Sequence, residues 1–181
     1  MMRIITGSAK GARLDTLEGD ATRPTAERTK QAIFNVLQFD IEGRRVLDLF
    51  GGSGQLALEA LSRGADSAYV ADASPEACEI IKRNARKTKL FEKMRLVTND
   101  YKSVIRSLSG REDFHLIFLD PPYQSDYLAD AVKRIVNGGL LADGGYIVCE
   151  GESPEPVTCE GLSVFRHSKY GRAYVTILEK E

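Results

Sequence analysis

The chain has 181 residues and a mass of 20.0 kDa, enough for one domain with a small addition around a sizeable core. With 43% hydrophobic and 28% charged residues and a formal net charge of -1, it is composed like an ordinary globular protein, without a global basic field for nucleic acid. Cys78, Cys149 and Cys159 are widely spaced, no CxxC pair occurs and histidines number 2, which argues against a zinc site or a disulfide framework.

The chain opens on "MMRIITGSAKG", whose apolar run is too short for a signal peptide, and no stretch approaches a membrane span. A cytoplasmic, metal-free protein is the expectation. Residues 1–44 form an N-terminal appendage, with a small hairpin around Lys10-Gly11 and then a loop leading into a helix with Ile33, Val36 and Leu37 inward. From residue 45 to 181 the pattern changes to strand-helix alternation. "RVLDLF" has strand length and stops at Gly51-Gly52. "QLALEALSRGA" sets Leu56, Ala57, Ala60 and Leu61 at helical spacing, with Gly64 as its stop. "SAYVAD" is the next strand, followed by a helix with Ser74 as N-cap, Pro75 at its first position and Ala77, Ile80, Ile81 and Ala85 inward.

"MRLVTND" reads as a third strand, "YKSVIRSL" as a short helix, "FHLIFLD" as a fourth strand, "DYLADAVKRIV" as an amphipathic helix and "GGYIVCE" as a fifth strand. This alternation predicts an α/β fold, a mostly parallel doubly wound sheet, because right-handed crossovers join parallel strands. "LSVFRHS" and "RAYVTILEK", joined through "KYG", read as an antiparallel hairpin closing one edge.

The strand-glycine-helix segment "VLDLFGGSGQLALEAL" is the first carrier of chemistry. Glycines let a ligand approach the backbone, and the helix start offers unpaired N–H groups and a positive dipole end. Gly52, Gly54 and Ala57 satisfy G-x-G-x-x-G/A with Asp72 at the distance of a ribose acid, so a dinucleotide remains a competitor. Two features favour S-adenosylmethionine. Asp48 stands just before the glycines, where a carboxylate receives an ammonium group and would repel a pyrophosphate. Asp72 and Asp100 then follow at the next strand tips, suited to ribose hydroxyls and an adenine amine. Each acid also has a plain reading as an N-cap or turn residue.

The fourth strand ends in Asp120-Pro121-Pro122-Tyr123. An exocyclic amine on a base is a poor nucleophile, since its lone pair is delocalised into the ring. Hydrogen bonds from that amine to Asp120 and to the Pro121 carbonyl would hold it and favour the cationic transition state. The prolines fix the backbone and remove competing N–H groups, and Tyr123 offers a face to a flipped base.

These residues resemble the D/N-PP-Y/F amino methyltransferases of class I, which use S-adenosylmethionine. "RIITGSAKGARL", "TRPTAERTKQAIFNVL", "LDLFGGSGQLALEALSRGA", "DFHLIFLDPPY" and "KYGRAYV" together resemble the bacterial small-subunit rRNA guanine-N2 methyltransferase family of the RsmD type. The resemblance implies a Rossmann-like methyltransferase fold and methylation of one guanine of 16S rRNA in a 30S particle or its assembly intermediate. By position, it implies Asp120, Pro121, Pro122 and Tyr123 as the catalytic tetrapeptide. Asp48, Gly51, Gly52 and Gly54 would form the cofactor loop, Asp72 and Asp100 would be the ribose and adenine-side acids, and "TRPT", with Arg23 and Thr25, would lie across the cofactor.

For RNA, Lys10, Arg13 and Arg28 near the N-terminal hairpin and Lys169 and Arg172 around "KYG" are candidate surfaces. The basic run from Lys82 to Arg95 reads equally as a solvated helix face. A monomer is expected. The rivals are an adenine-N6 or protein-glutamine methyltransferase sharing the tetrapeptide, and a non-catalytic module of ribosome assembly.

Overall fold

A computed structural model of the chain describes residues 1–18, 24–122 and 126–181, without the side chains of residues 24 and 25. A seven-stranded sheet runs in the order β3-β2-β1-β4-β5-β7-β6. Its strands are β1 (Arg45–Asp48), β2 (Ser67–Asp72), β3 (Met94–Thr98), β4 (Phe114–Leu119), β5 (Leu141–Gly151), β6 (Leu162–Tyr170) and β7 (Ala173–Lys180). β1 to β5 pair in parallel, while β7 is antiparallel to both β5 and β6. The predicted α/β architecture with a C-terminal antiparallel hairpin is what forms. The second strand of that hairpin, not the first, lies against β5.

The helices are α1 (Pro24–Val36), α2 (Gln55–Ser62), α3 (Pro75–Lys87), α4 (Tyr101–Leu108) and α5 (Tyr127–Asn137). They divide the core in two. One face packs Leu58, Leu61, Ile81, Phe118 and Val148 with Ile33, Phe34 and Leu37 of α1. The other packs Leu47, Ile117 and Cys149 against Val104 and Ile105 of α4 and Val132 and Ile135 of α5. Alternate residues of each central strand go to opposite clusters, as the pleat requires of a sheet covered on both faces. At α3 the Ser74 hydroxyl accepts the Ala77 N–H at 3.2 Å, with Pro75 at the first helical position.

β5 begins earlier than the "GGYIVCE" pattern suggests. Leu141 pairs with Phe114, and the register then shifts before Leu116 pairs with Tyr146. Asp143 and Gly144 are exposed and interrupt the apolar pattern, and Gly144 has φ of +72°. Hydropathy therefore locates only the strand beyond this irregularity.

The N-terminal segment shares the first core. Arg3 and Arg13 form one isolated antiparallel bridge, with Ile4 N–H to Ala12 O at 2.9 Å and Leu14 N–H to Met2 O at 2.9 Å. Ile4 and Leu14 are buried in the same cluster as α2. Gly7, at φ of +94°, lies so close to Ser62 that an added Cβ would fall 1.8 Å from its carbonyl oxygen. Two polar anchors fix the segment, neither suggested by hydropathy. Glu59, 0% exposed on α2, accepts the Ile5 and Thr6 N–H groups at 2.9 and 3.1 Å and faces Lys30 at 3.8 Å. Lys30 is itself 1% exposed and donates to Arg3 O at 2.6 Å. Buried Asn84 of α3 accepts the Asp15 N–H at 2.8 Å and donates to Asp15 O and Ser53 O at 2.9 Å.

Candidate active site

The carboxyl ends of β1, β2 and β4, with the start of α4, surround a cavity of about 940 Å³, the size of a cofactor or drug-like ligand. A doubly wound sheet binds ligands at this edge, beside the point where strand order reverses between β1 and β4. Asp48, Gly51, Gly52, Asp72, Asp100 and Asp120 all line it, so residues spread over 72 positions of sequence meet at one place.

The loop after β1 is built tightly. Gly51 N–H bonds Ala71 O at 2.9 Å, and Gly54 N–H bonds Gly51 O at 2.7 Å. Gly54, at φ of +83°, starts α2. A Cβ on Gly51 would lie 2.7 Å from Val70 Cγ1 and 2.8 Å from Ile81 Cδ1, so the bare backbone is what lets this turn sit against β2 and α3. The Asp72 carboxylate accepts the Gly52 N–H and the Ser74 N–H, each at 2.9 Å. It thus ties the glycine loop to the second strand while lining the cavity.

Asp48 is 1% exposed and accepts the Phe50 N–H at 3.2 Å. Burial pushes its carboxyl up to about 7, the Phe50 N–H opposes this, and the Asp120 and Asp72 carboxylates add to the rise. A buried acid in that state favours a cation as neighbour. Gln55 Oε1, on the same cavity, is buried without a hydrogen-bond partner among the described residues. These acceptors suit the ammonium end of an amino-acid-like ligand. The donor chemistry therefore fits S-adenosylmethionine and suits a pyrophosphate poorly.

Asp100 lines the cavity and also caps α4, accepting the Ser103 N–H at 2.9 Å and the Ser103 hydroxyl at 2.8 Å. Those bonds hold its carboxyl below the usual range. Beside it stand three rings that the sequence reading did not single out. Phe50, Tyr101 and Tyr127 have centroids 5.2 to 6.2 Å apart, and Tyr101 donates to Asp130 at 2.6 Å. Phe50 and Tyr127 are nearly parallel, at 6°, and Tyr101 is tilted to them by 42 and 46°, so together they make an aromatic wall against which a planar heterocycle packs. Phe50 abuts the glycines and Tyr101 follows Asp100, so chain adjacency to the strand-tip acids was the available signal.

Asp120 and buried Pro121 form the opposite wall. Tyr123 and Arg23 lie outside the described residues, as does the Thr25 side chain. Pro121 and Pro122 also line a second cavity of about 580 Å³ that contains Glu150 at the tip of β5. Glu150 is a strand-tip acid like Asp48 and Asp72, and that pattern could have flagged it. Burial, and then Asp120, raises its carboxyl well above the usual range.

Of the basic candidates, Lys10, Arg13, Arg28, Lys169 and Arg172 are all exposed. Lys169 Nζ lies 5.5 Å from the ring centroid of Tyr174, which lines the second cavity. Met2, Thr16 and Ala26 line the larger cavity, so the N-terminal segment forms part of its rim. Much of the run from Lys82 to Arg95 is engaged. Lys82 pairs with Glu79, Arg83 and Lys87 with Asp15, and Arg95 with Glu112. Among the described residues, no cluster of side chains could hold a metal, and no helix is long and apolar enough to cross a membrane.

A family profile described as conserved hypothetical protein 95, the RsmD family, matches residues 2–179. The chain belongs to this family. It is 37% identical to the Bacillus subtilis protein YlbH over 182 aligned residues, covering 99% of both. It is 28% identical to the ribosomal RNA small subunit methyltransferase D of Escherichia coli, over 99% of this chain and 90% of that one. In three dimensions it resembles the Escherichia coli protein yhhF with a TM-score of 0.88 at 29% identity, over 99% and 98% of the two chains.

Proposed function

We propose that the protein transfers the methyl group of S-adenosylmethionine to the exocyclic N2 amine of one guanine in 16S rRNA, within the small subunit or its assembly intermediate. The observation that carries the reading is one cavity walled on one side by the glycine loop with buried Asp48 and on the other by the Asp120-Pro121-Pro122 tip. The methyltransferase D relatives support rRNA of the small subunit as substrate, and the N2 position rests on the family resemblance.

S-adenosylmethionine, when bound, supplies an electrophilic methyl on a sulfonium. Asp48 receives the ammonium end, while Gly51, Gly52 and Gly54 let the ligand approach the backbone. Asp72 accepts ribose hydroxyls, and Asp100 serves the adenine side next to the Phe50, Tyr101 and Tyr127 rings. The family resemblance assigns Arg23 and Thr25 to the cofactor. Asp120 and the Pro121 carbonyl accept the two N–H bonds of the acceptor amine, which fixes its direction and stabilises the positive charge that grows on nitrogen. Pro122 has no N–H to compete for those acceptors. Tyr123 stacks on the base.

Lys169 and Arg172, near the second cavity, and Lys10, Arg13 and Arg28 at the N-terminal rim contact RNA phosphates. The enzyme works as a cytoplasmic monomer. The test is transfer of labelled methyl into 30S subunits purified from a strain lacking the gene, followed by nucleoside analysis. N2-methylguanine is the expected product. Label only in N6-methyladenine, or only in protein, refutes the assignment.

A further inference from the structure

The second cavity lies across the proline tip from the first, and the two share Pro121 and Pro122. A reaction that joins a donor to a large acceptor needs two chambers meeting at the reacting atoms. The shared prolines mark that meeting point.

Register explains why Glu150 stands there. β4 and β5 pair in parallel through Phe118 with Val148 and Leu119 with Cys149, so the next residue of each strand is Asp120 and Glu150. Phe118 and Val148 belong to one core face, and Leu119 and Cys149 to the other. By the alternation of the pleat, Asp120 and Glu150 therefore leave the sheet on the same side, on strands about 4.8 Å apart. Adjacent strands thus present two carboxylates side by side at the junction of the cavities. The Cys149 thiol in the same lining is held protonated, since burial pushes it up to about 12.

An ionised carboxylate only accepts hydrogen bonds. Two adjacent carboxylates call for a ligand edge with two adjacent donors. Among the RNA bases guanine presents that edge, with its 2-amine beside the N1–H. Adenine and cytosine present an unprotonated ring nitrogen beside their amines. We infer that Glu150 is a specificity-determining residue, which accepts the N1–H of the acceptor guanine while Asp120 holds its 2-amine. This rests on the guanine-N2 reading above and extends it to a second residue that makes the base choice.

The surroundings of Glu150 set its protonation. Asp120 at the β4 tip is the charge that acts on Glu150, while Asp126 before α5, Glu152 and Glu155 after β5, and Tyr174 and Thr176 of β7 line the same cavity. His167, the nearest imidazole on that side, is engaged by Thr176 Oγ1 and Pro154 O, each at 2.9 Å. Burial, and then Asp120, favour the protonated form of Glu150, so binding the N1–H on an ionised Glu150 releases that proton to solvent. Exposed Lys169, over Tyr174, and Arg172 supply the positive rim that brings RNA to an acidic chamber.

The test compares subunits carrying guanine at the mapped target with reconstituted subunits carrying 2-aminopurine, which keeps the 2-amine and lacks the N1–H. The wild type should lose roughly 10- to 100-fold in kcat/KM on 2-aminopurine, the range of a lost hydrogen bond to a charged group. Glu150→Ala should lose a similar factor on guanine and discriminate between the two substrates much less. Its Kd for S-adenosylhomocysteine should stay within about twofold of wild type, because Glu150 does not line the cofactor cavity. Glu150→Gln, which keeps one acceptor oxygen and the side-chain volume, should fall between the two and decides the matter if the alanine variant does not fold. Full wild-type discrimination in either folded variant overturns the inference. Failure of the wild type to form N2-methylguanine at all overturns the guanine reading instead, and is seen before any variant is made.

Discussion

Cofactor affinity should depend on pH through Asp48. The side chain is 1% exposed, and its carboxyl is raised from 3.8 to about 7 by burial, with Asp120 and Asp72 adding to the rise. That shift of about three units makes ionising it in the empty cavity cost about 4 kcal/mol more than in water. A cation at 4 Å in an environment of intermediate dielectric returns about the same amount. A ligand ammonium therefore binds the ionised form, and its affinity follows the ionised fraction. For a group titrating near 7, that fraction falls from about one half at pH 7 to about one tenth at pH 6.

The Kd of S-adenosylhomocysteine should accordingly weaken by roughly fivefold, or about 1 kcal/mol, between pH 7 and pH 6. Calorimetry or equilibrium dialysis reads this directly. Asp48→Asn should bind more weakly and lose the slope, which controls for titration of the ligand itself. The same group affects the empty protein with the opposite sign. A folded pKa above the unfolded value gives stability that is present at low pH and is lost as pH rises through about 7. A flat wild-type affinity between pH 6 and 7, or an Asn variant that keeps the slope, would refute the role given to Asp48.

Asp120→Ala should abolish methyl transfer while changing the Kd for S-adenosylhomocysteine by less than about threefold, since the carboxylate is assigned to the amine and not the donor; turnover near the original rate sinks that assignment. Glu59→Ala strands buried Lys30 and the Ile5 and Thr6 N–H groups. It should cost about 3–5 kcal/mol and lower Tm by roughly 6–20 °C, and a change below about 2 °C in a calorimetric scan would contradict it. Gly51→Ala drives a Cβ to 2.7 Å from Val70 Cγ1 and should cost about 1–3 kcal/mol, read as a shifted denaturant midpoint with weaker cofactor binding. Replacing Lys169 and Arg172 together by alanine should raise KM for the ribosomal substrate and flatten its salt dependence by a slope of about 1–2, leaving cofactor affinity unchanged. An unaltered salt slope would move the RNA contact to another surface.

Much of the site was legible in the chain because its chemistry sits at strand tips. A run of buried residues that stops on an acid announces both the strand and the position of its carboxylate, and Asp48, Asp72 and Asp120 were found that way. Glu150 fits the same pattern near the end of β5, but its following residues, Gly151, Glu152 and Ser153, form no recognisable ligand loop or proline tip, so local sequence gave it no weight. Its meaning appears only when the register sets it beside Asp120.

By itself the sequence determined the alternation of strands and helices, the glycine turn that only residues lacking a Cβ can form, the N-cap at Ser74 and the rigid proline tip. These are consequences of nearest-neighbour sterics and of hydrophobic period, which act over a few residues. The tertiary structure decided what depends on residues far apart in the chain. It made Asp72 a clasp on the Gly52 N–H, buried Lys30 against Glu59 and Asn84 against Asp15, and engaged much of the basic run of α3 in ion pairs. It also opened two cavities on either side of one proline tip. Burial and through-space charge set those outcomes. Neither is a property of any short segment, because each arises when strands distant in sequence come to lie about 4.8 Å apart.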